Sequence, residues 1–206
     1  MCLALAGGEA RPAGELATRA GVSAQAASNH LARLVAGRIL RVEQQGRWRY
    51  YRLASAEVGH AVEALAVVAP QRPGALDELA DAATLRLKEA RTCYRHLAGR
   101  LGVAIADALV AEGWLEDSGS AYRVTTLGGR SLAALGIVSN GRRAPEPARR
   151  CLDWTERRPH VAGPVGTGLA DLAVERSWVR RLRSTRAVLV TPAGRRELKR
   201  ILNVRF

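Results

Sequence analysis

Residues 14–53 read GELATRAGVSAQAASNHLARLVAGRILRVEQQGRWRYYRL. The apolar spacing at its beginning predicts a short helix over residues 13–20. Gly21 follows this helix and can take the left-handed conformation that a tight turn between two helices requires. We expect Val22 to point inward after the turn, and Ser23 to cap a second helix. The segment therefore predicts a helix-turn-helix.

The second helix is predicted from about Ala24 to Gly37, and its two sides differ in chemistry. Ala27, Leu31 and Leu34 form an apolar stripe that suits burial. The rest of its beginning is polar, which a helix that serves only a core does not need. A helix that enters the major groove needs such groups to reach base edges and phosphates. The predicted DNA-contacting residues of this helix are Ser23, Gln25, Ser28, Asn29, His30 and Arg33.

A β-hairpin is predicted directly after this helix. Residues 39–43 form its first strand, Gln45-Gly46 its turn and residues 48–53 its second strand. Arg47 and Arg49 lie on this hairpin, where arginines can hold phosphates or enter the minor groove. Taken alone, the hairpin could simply carry solvated arginines. Its position after a helix-turn-helix instead favours the wing of a winged helix that binds DNA.

The chain resembles the ArsR/SmtB family of bacterial repressors over about residues 3–69. The resemblance is carried above all by SNHLARL at residues 28–34 and by RVEQQGRWRYYRL at residues 41–53. It implies a homodimer that represses transcription at a two-fold operator in double-stranded DNA and releases it on sensing an effector, often a metal ion. The helix predicted over residues 55–69 matches the dimerising C-terminal helix of the family.

Two departures limit what this resemblance implies. Arg33 and Gly37 stand where metal-sensing members carry thiolates, and the helix that holds His60 lacks the paired ligands of the zinc sensors. Metal sensing is therefore not expected in this module. The opening MCLALAGGEA falls inside the family's preceding helix, so either the start is misassigned or the C-terminal part supplies the missing dimer contact.

The chain carries a formal net charge of +13, which suggests a polyanionic partner. Residues 1–69 hold eight arginines against five acidic residues, whereas residues 141–206 hold sixteen basic against six acidic residues. The basic C-terminal third is either a solvated surface or a phosphate-contacting one. In the second case the chain could also be a non-specific architectural DNA-binding protein, the alternative to a sequence-specific regulator.

The cellular location of the protein is predicted from its apolar segments and its cysteines. No apolar run approaches the length of a membrane span, so we expect no membrane partner and a cytoplasmic, nucleoid-associated protein. Three scattered cysteines make reduced thiols the expectation.

The second half of the chain reads as a repeat. The segment His96–Trp114 aligns with His160–Trp178 at an offset of 64 residues. In each copy a glycine, Gly102 or Gly166, stands where Gly21 stands in the first module. This predicts a mainly α fold with small β-hairpins: a winged helix-turn-helix followed by two tandem, degenerate winged-helix-like repeats. The predicted domain bounds are residues 1–69, 75–140 and 141–206, with a linker at residues 71–74.

The repeats are not expected to read DNA. Residues 104–109 and 168–172 occupy the positions of recognition helices, but they are apolar and carry one acidic residue each, which phosphate would repel. The two repeats are instead expected to form a sensing or dimerising domain. They resemble the long C-terminal extension found in a subset of ArsR-like regulators.

One group of residues in the repeats could carry chemistry. Cys93-x-x-His96 would share one face of a helix, and Cys151-x-Asp153 and His160 belong to the second repeat. Thiolate and imidazole together suit zinc or a softer metal ion as effector, whereas the alternative is that the cysteines only fill a core. Thiol oxidation or a small molecule remain alternative effectors. No catalytic motif occurs, so we expect no enzyme.

Overall fold

A computed structural model describes residues 1–69, 81–137 and 148–204. These residues form two compact units. The first comprises Met1–Ala83 with Arg183–Thr185, and the second comprises Thr84–Leu182 with Arg186–Phe206. The linker predicted at residues 71–74 lies outside the described residues.

The first unit is a winged helix-turn-helix. A 3-10 helix, Cys2–Leu5, precedes its first strand. Its further elements are β1 (Arg11–Pro12), α1 (Ala13–Ala20), α2 (Ala24–Ala36), β2 (Leu40–Gln45), β3 (Trp48–Leu53) and α3 (Ala56–Val68). The strands form one antiparallel sheet in the order β1-β3-β2.

Local sequence signals set the turn between α1 and α2. Gly21 ends α1 in the left-handed region at φ 63°, as its lack of a side chain allows. Ser23 caps α2 by accepting a hydrogen bond from the backbone N–H of Ala26 at 3.2 Å. These predictions are confirmed, but that for Val22 is wrong, because its side chain is 37% exposed.

The core of the first unit is small. Leu5, Leu16, Leu31, Leu40 and Tyr51 are buried together in it. It thus joins α1, α2 and the sheet into one support, so that the outward side of α2 is held in a fixed orientation.

The second unit consists of a leading helix and two halves with the same element order. The helix α4 (Ala82–Glu89) comes first. The first half contains β4 (Arg91–Cys93), β5 (His96–Ala98), α5 (Gly99–Ala111), β6 (Leu115–Asp117), β7 (Tyr122–Val124) and α6 (Thr126–Ala134). The second contains β8 (Arg149–Leu152), β9 (Pro159–Ala162), α7 (Gly163–Glu175), β10 (Val179–Arg181), β11 (Val188–Val190) and α8 (Pro192–Leu202).

Each half begins with a hairpin, and this corrects the predicted helix-turn-helix. Gly102 and Gly166 were expected at turns between helices, but each lies inside a single long helix that follows a strand directly. A Cβ atom on Gly102 would lie 2.5 Å from the carbonyl oxygen of Leu97. A Cβ atom on Gly166 would lie still closer, 2.2 Å, to the carbonyl oxygen of Val161. The glycines are therefore needed for close packing of helix against strand, and not for a turn.

The core of the second unit draws on both halves. Leu101, Ile105 and Leu109 of α5 are buried in the same cluster as Val165 and Leu169 of α7. The closing helix α8 adds its own leucines to this cluster. The proposed division at residues 140 and 141 thus falls within one compact unit, and in a segment, residues 138–147, that lies outside the described residues.

The molecule is a mixed helix and strand protein. None of the helices in the described ranges has the length and the hydropathy of a membrane span.

Candidate nucleic-acid interface and thiol–imidazole cluster

The polar residues predicted to contact DNA lie on the solvent side of α2. The side chain of Gln25 donates a hydrogen bond from Nε2 to Oδ1 of Asn29 at 3.3 Å, which holds two amides one turn apart on the same face. In the same segment the exposed polar residues are Ser23, Gln25, Ser28, Asn29, His30 and Arg33. We call this set the α2 polar face.

The hairpin of β2 and β3 presents arginines beside aromatic rings. The guanidinium of Arg47 lies over the ring of Trp48, 5.1 Å from its centroid, and that of Arg49 lies 5.8 Å from the centroid of Tyr51. Gln45 pairs with Trp48, so the turn consists of Gly46 and Arg47, one residue later than predicted. Arg47 and Arg49 are both exposed. Two cations thus stand at and near the tip of the wing.

The predicted dimerisation helix, α3, has an exposed apolar edge. Among its apolar residues, Ala66 is buried, Val58 and Val62 are half-buried and Leu65 is 67% exposed. Val68, one turn after Leu65, is 77% exposed. Two large apolar side chains thus lie in solvent along one edge of α3.

In the second unit, the four predicted effector residues come together. Cys93 and His96 face each other across the β4–β5 hairpin, and Cys151 and His160 face each other across the β8–β9 hairpin. We call these four side chains the thiol–imidazole cluster. The two sulfur atoms lie 4.0 Å apart, and the two Nε2 atoms lie 3.0 Å apart.

The cluster is compact and largely removed from solvent. Its four donor atoms, two Sγ and two ring nitrogens, all lie within 4.8 Å of one another. Cys93, His96 and His160 are buried, and Cys151 is half-buried. The residues are those that the sequence singled out, but the reason given was wrong. Cys93 and His96 are opposite residues of a hairpin, not neighbours on a helix.

A buried carboxylate stands behind the cluster. Oδ2 of Asp153 lies 3.4 Å from Nδ1 of His160 and accepts a hydrogen bond from the backbone N–H of Gly99 at 2.7 Å. Its Oδ1 accepts from Nη2 of Arg91 at 2.8 Å and from the hydroxyl of Thr155 at 2.7 Å. Arg91 and Asp153 are each only 1% exposed. Nδ1 of His160 thus lies on the side of Asp153, and its Nε2 lies 3.0 Å from that of His96.

The electrostatics of the cluster follow from these contacts. The hydrogen bond shared with Cys151, together with burial, raises the pKa of Cys93 to about 11. Burial lowers the pKa of His160, but the contacts with Asp153 and Cys93 outweigh it and raise that pKa. Burial opposes ionisation of Asp153, yet its contact with His160 and the charge of Arg91 bring its pKa well below the usual range. Asp153 is therefore a carboxylate at neutral pH.

Sequence reasoning missed Arg91 and gave Asp153 no role beside the four predicted ligands. They are 62 residues apart, and neither belongs to the aligned stretches of the repeat. Asp153 lies in the loop between β8 and β9, which is longer than the two-residue turn between β4 and β5. Cys151-x-Asp153 was the sequence signal for this carboxylate, and a ligating histidine often donates its second ring N–H to a carboxylate.

Comparison with known proteins gives two matches. Residues 1–43 match a family described as "Helix-turn-helix domain". Over 207 aligned residues the chain is 39% identical to a protein of Bacillus subtilis (strain 168) named "Uncharacterized HTH-type transcriptional regulator YdfF". The alignment covers 99% of this chain and 91% of the relative. No solved structure matches.

Proposed function

The chain belongs to the HTH-type transcriptional regulators, and from this premise we propose that it is a sequence-specific repressor of the ArsR/SmtB type. It acts as a homodimer on a two-fold operator and is released by an effector that the second unit binds. The second unit, with its two halves of the same element order, is the sensor on this proposal. The observation that carries the proposal is the α2 polar face.

The chemistry of the α2 polar face favours base reading. Asn and Gln side chains can each bind adenine through two hydrogen bonds, and Arg can do the same with guanine. Gln25 and Asn29 lie on the first turns of the helix, where side chains reach deepest into a major groove, and Arg33 lies one turn further on. A protein that only packages DNA has no need of amides at these positions.

The wing complements this face with charge. Arg47 and Arg49 are solvent-exposed, so they are free to meet phosphates or a narrow minor groove. The stacking of Arg47 on Trp48 limits the directions that the guanidinium explores, so less conformational entropy is lost on binding. The wing therefore supplies affinity, and α2 supplies sequence preference.

A homodimer is supported by the exposed edge of α3. Two recognition helices must enter successive major grooves about 34 Å apart to read a two-fold site. Leu65 and Val68 offer an apolar surface that a second copy of the same helix can cover.

A non-specific architectural protein is the second candidate, and the exposed arginines of the second unit favour it. Arg180 and Arg181 on β10 are both exposed. Other basic residues of this unit are already ion-paired, however, such as Arg158 with Asp107 at 2.7 Å. This reduces the charge available for phosphates.

The test is selection of duplexes from a randomised pool by the full chain. We expect one enriched motif with two-fold symmetry and half-sites about one helical turn apart. Asn29→Ala should weaken binding to the selected duplex by about 1–3 kcal/mol, or roughly 5- to 150-fold, with far less effect on unselected DNA. The matched control is Asp171→Ala, an exposed polar residue on α7, which should leave both affinities unchanged.

Two results would contradict the proposal. One is a selection that enriches no motif, which would favour the architectural alternative. The other is the same motif enriched by a chain from which residues 1–69 have been removed.

A further inference from the structure

We propose that the thiol–imidazole cluster binds one thiophilic divalent cation of the zinc class. This ion is the effector of the regulator, and that second statement rests on the proposed function, whereas the site itself rests on geometry alone. The site is separate from the positions at which the resemblance to ArsR/SmtB would place a metal, since it lies in the second unit.

The distances suit a single tetrahedral ion. With bonds of 2.0–2.1 Å to nitrogen and 2.3 Å to sulfur, a tetrahedral zinc site separates two nitrogens by about 3.3 Å and two sulfurs by about 3.8 Å. The corresponding distances in the cluster are 3.0 Å and 4.0 Å. Shifts of a few tenths of an ångström bring each of these two pairs to the tetrahedral value, and all four donor atoms already lie within 4.8 Å of one another.

The number and type of donors select the class of ion. Two thiolates and two neutral imidazoles form the ligand set of many closed zinc sites, whereas calcium and magnesium require oxygen donors. Two thiolates also neutralise a divalent cation, so the occupied site adds no net charge to a buried region. A set of four protein ligands leaves no open position for a substrate, which fits a structural or regulatory ion better than a catalytic one.

The network behind the cluster is what a ligating histidine requires. His160 has its Nδ1 3.4 Å from Asp153, which leaves Nε2 as the donor to the ion. Arg91 balances the charge of Asp153, because the two are held at 2.8 Å inside the protein. The carboxylate can thus orient the ring without adding a negative charge to the site.

The two halves of the second unit support the cluster in the same way. The Cβ of His160 lies 3.4 Å from the position that a side chain on Gly102 would take, and the Cβ of His96 lies 3.1 Å from the equivalent position on Gly166. Each histidine is therefore packed against the helix of the other half. An ion bound here links the β4–β5 hairpin to the β8–β9 hairpin and favours one arrangement of the two halves.

The experiment uses the full chain, purified anaerobically with reductant, freed of metal with a chelator and titrated with cobalt(II). We expect one cobalt per chain, with the visible bands of tetrahedral cobalt and an ultraviolet thiolate-to-cobalt charge-transfer band, and displacement by equimolar zinc. Cys93→Ser leaves one thiolate among three ligands, so it should bind cobalt more weakly and show at most half of the charge-transfer band. Cys2→Ser, which changes a cysteine of the first unit, should keep both the affinity and the band. Cys151→His retains a ligand and should keep cobalt with about half of the thiolate band.

The outcomes separate the site from its role. Absence of stoichiometric cobalt in the parent chain overturns the site, as does loss of the band in Cys2→Ser. A parent chain that binds no cobalt but forms a Cys93–Cys151 disulfide with peroxide also overturns it, in favour of a thiol pair.

The regulatory role has its own readout, affinity for the duplex selected by the parent chain. Zinc should change this affinity at least tenfold in the parent chain and not in Cys93→Ser. If zinc binds and the affinity does not change, the effector role is overturned while the site stands. If no duplex is ever selected but cobalt binds, the proposed function has failed and the site has not.

Discussion

Three helices of thirteen residues, α2, α5 and α7, each precede a β-hairpin, yet they bury very different parts of themselves. Among its residues α2 buries Ala27 and Leu31, whereas α5 buries eight residues and α7 buries six. The free side of α2 is lined with amides, hydroxyls and an imidazole. A helix followed by a hairpin is therefore not enough to identify a DNA reader. What distinguishes α2 is the polar surface left after packing.

The helices that follow the hairpins also differ in how much of their apolar surface they bury. α3 leaves Leu65 and Val68 mostly exposed, whereas α8 buries Leu198 and Leu202 in the core of its unit. The first unit thus leaves free both a polar face and an apolar edge. The second unit buries these leucines of α8 in its own core. It also keeps its reactive groups, the thiol–imidazole cluster, largely away from solvent.

The largest expected effect concerns the edge of α3. Leu65→Glu should weaken the proposed homodimer by about 3–6 kcal/mol, because burying a leucine contributes about 1.5–3 kcal/mol and a two-fold interface contains it twice. Sedimentation of the variant at micromolar concentration should give a monomer. Its control is Leu127→Glu on α6, a leucine that is 47% exposed in the second unit and that should leave the dimer intact. If Leu65→Glu and Leu127→Glu dimerise equally well, α3 is not part of the dimer interface.

A second prediction concerns packing at the fourth residue of the long helices. That residue is Ala27 in α2 but Gly102 in α5, where a Cβ would meet the backbone of Leu97. Gly102→Ala should therefore destabilise the second unit by about 1–3 kcal/mol, the usual effect of overpacking. Denaturation followed by tryptophan fluorescence measures it, since three of the four tryptophans lie in this unit.

The control for this prediction is Gly129→Ala on α6. Nothing lies within 4 Å of a Cβ at that position, so the change should stabilise the helix by about 0.5–1 kcal/mol. A Gly102→Ala variant that is as stable as the Gly129→Ala variant would show that α5 does not need its close approach to β5.

Much of the first unit could be predicted from the sequence because its helix ends depend on local interactions. The bounds of α1, the left-handed Gly21 and the cap at Ser23 depend on interactions within three or four residues, and all agree with the sequence prediction. Val22 was misplaced because its environment depends on packing that no local rule describes.

The second unit was harder to predict for physical reasons. Tyr94 takes φ 59° in the turn between β4 and β5. Glycine or asparagine usually occupies such a left-handed position in a hairpin turn, so these residues are the sequence signal for a hairpin. Without that signal, Cys93-x-x-His96 suggested a helix. The repeat still paired the right histidines, because an alignment of the two halves needs no secondary structure. Arg91 was missed, and Asp153 was left without a role, because an ion pair between residues so far apart in sequence leaves no local pattern.

The smallest expected effect is on the salt dependence of DNA binding. It is tested at two exposed arginines, each on a hairpin that follows a thirteen-residue helix. Arg47 lies on the wing after α2, and Arg180 lies on β10 after α7. Each phosphate contact releases condensed counterions, so losing one should reduce the slope of log K against log salt by about 0.9. We expect Arg47→Ala to show this reduction on selected and unselected duplexes alike, because a phosphate contact carries no sequence information.

Arg180→Ala tests the other half of the comparison under the same conditions. Its hairpin follows α7, whose apolar packing and acidic Asp171 do not suit a groove, so the salt slope should stay at the parent value. Fluorescence anisotropy between 50 and 200 mM salt (roughly the range over which such slopes are resolved) gives both numbers. If Arg180→Ala reduces the slope as much as Arg47→Ala does, the second unit also binds the DNA backbone. The division between a reading unit and a sensing unit would then be wrong.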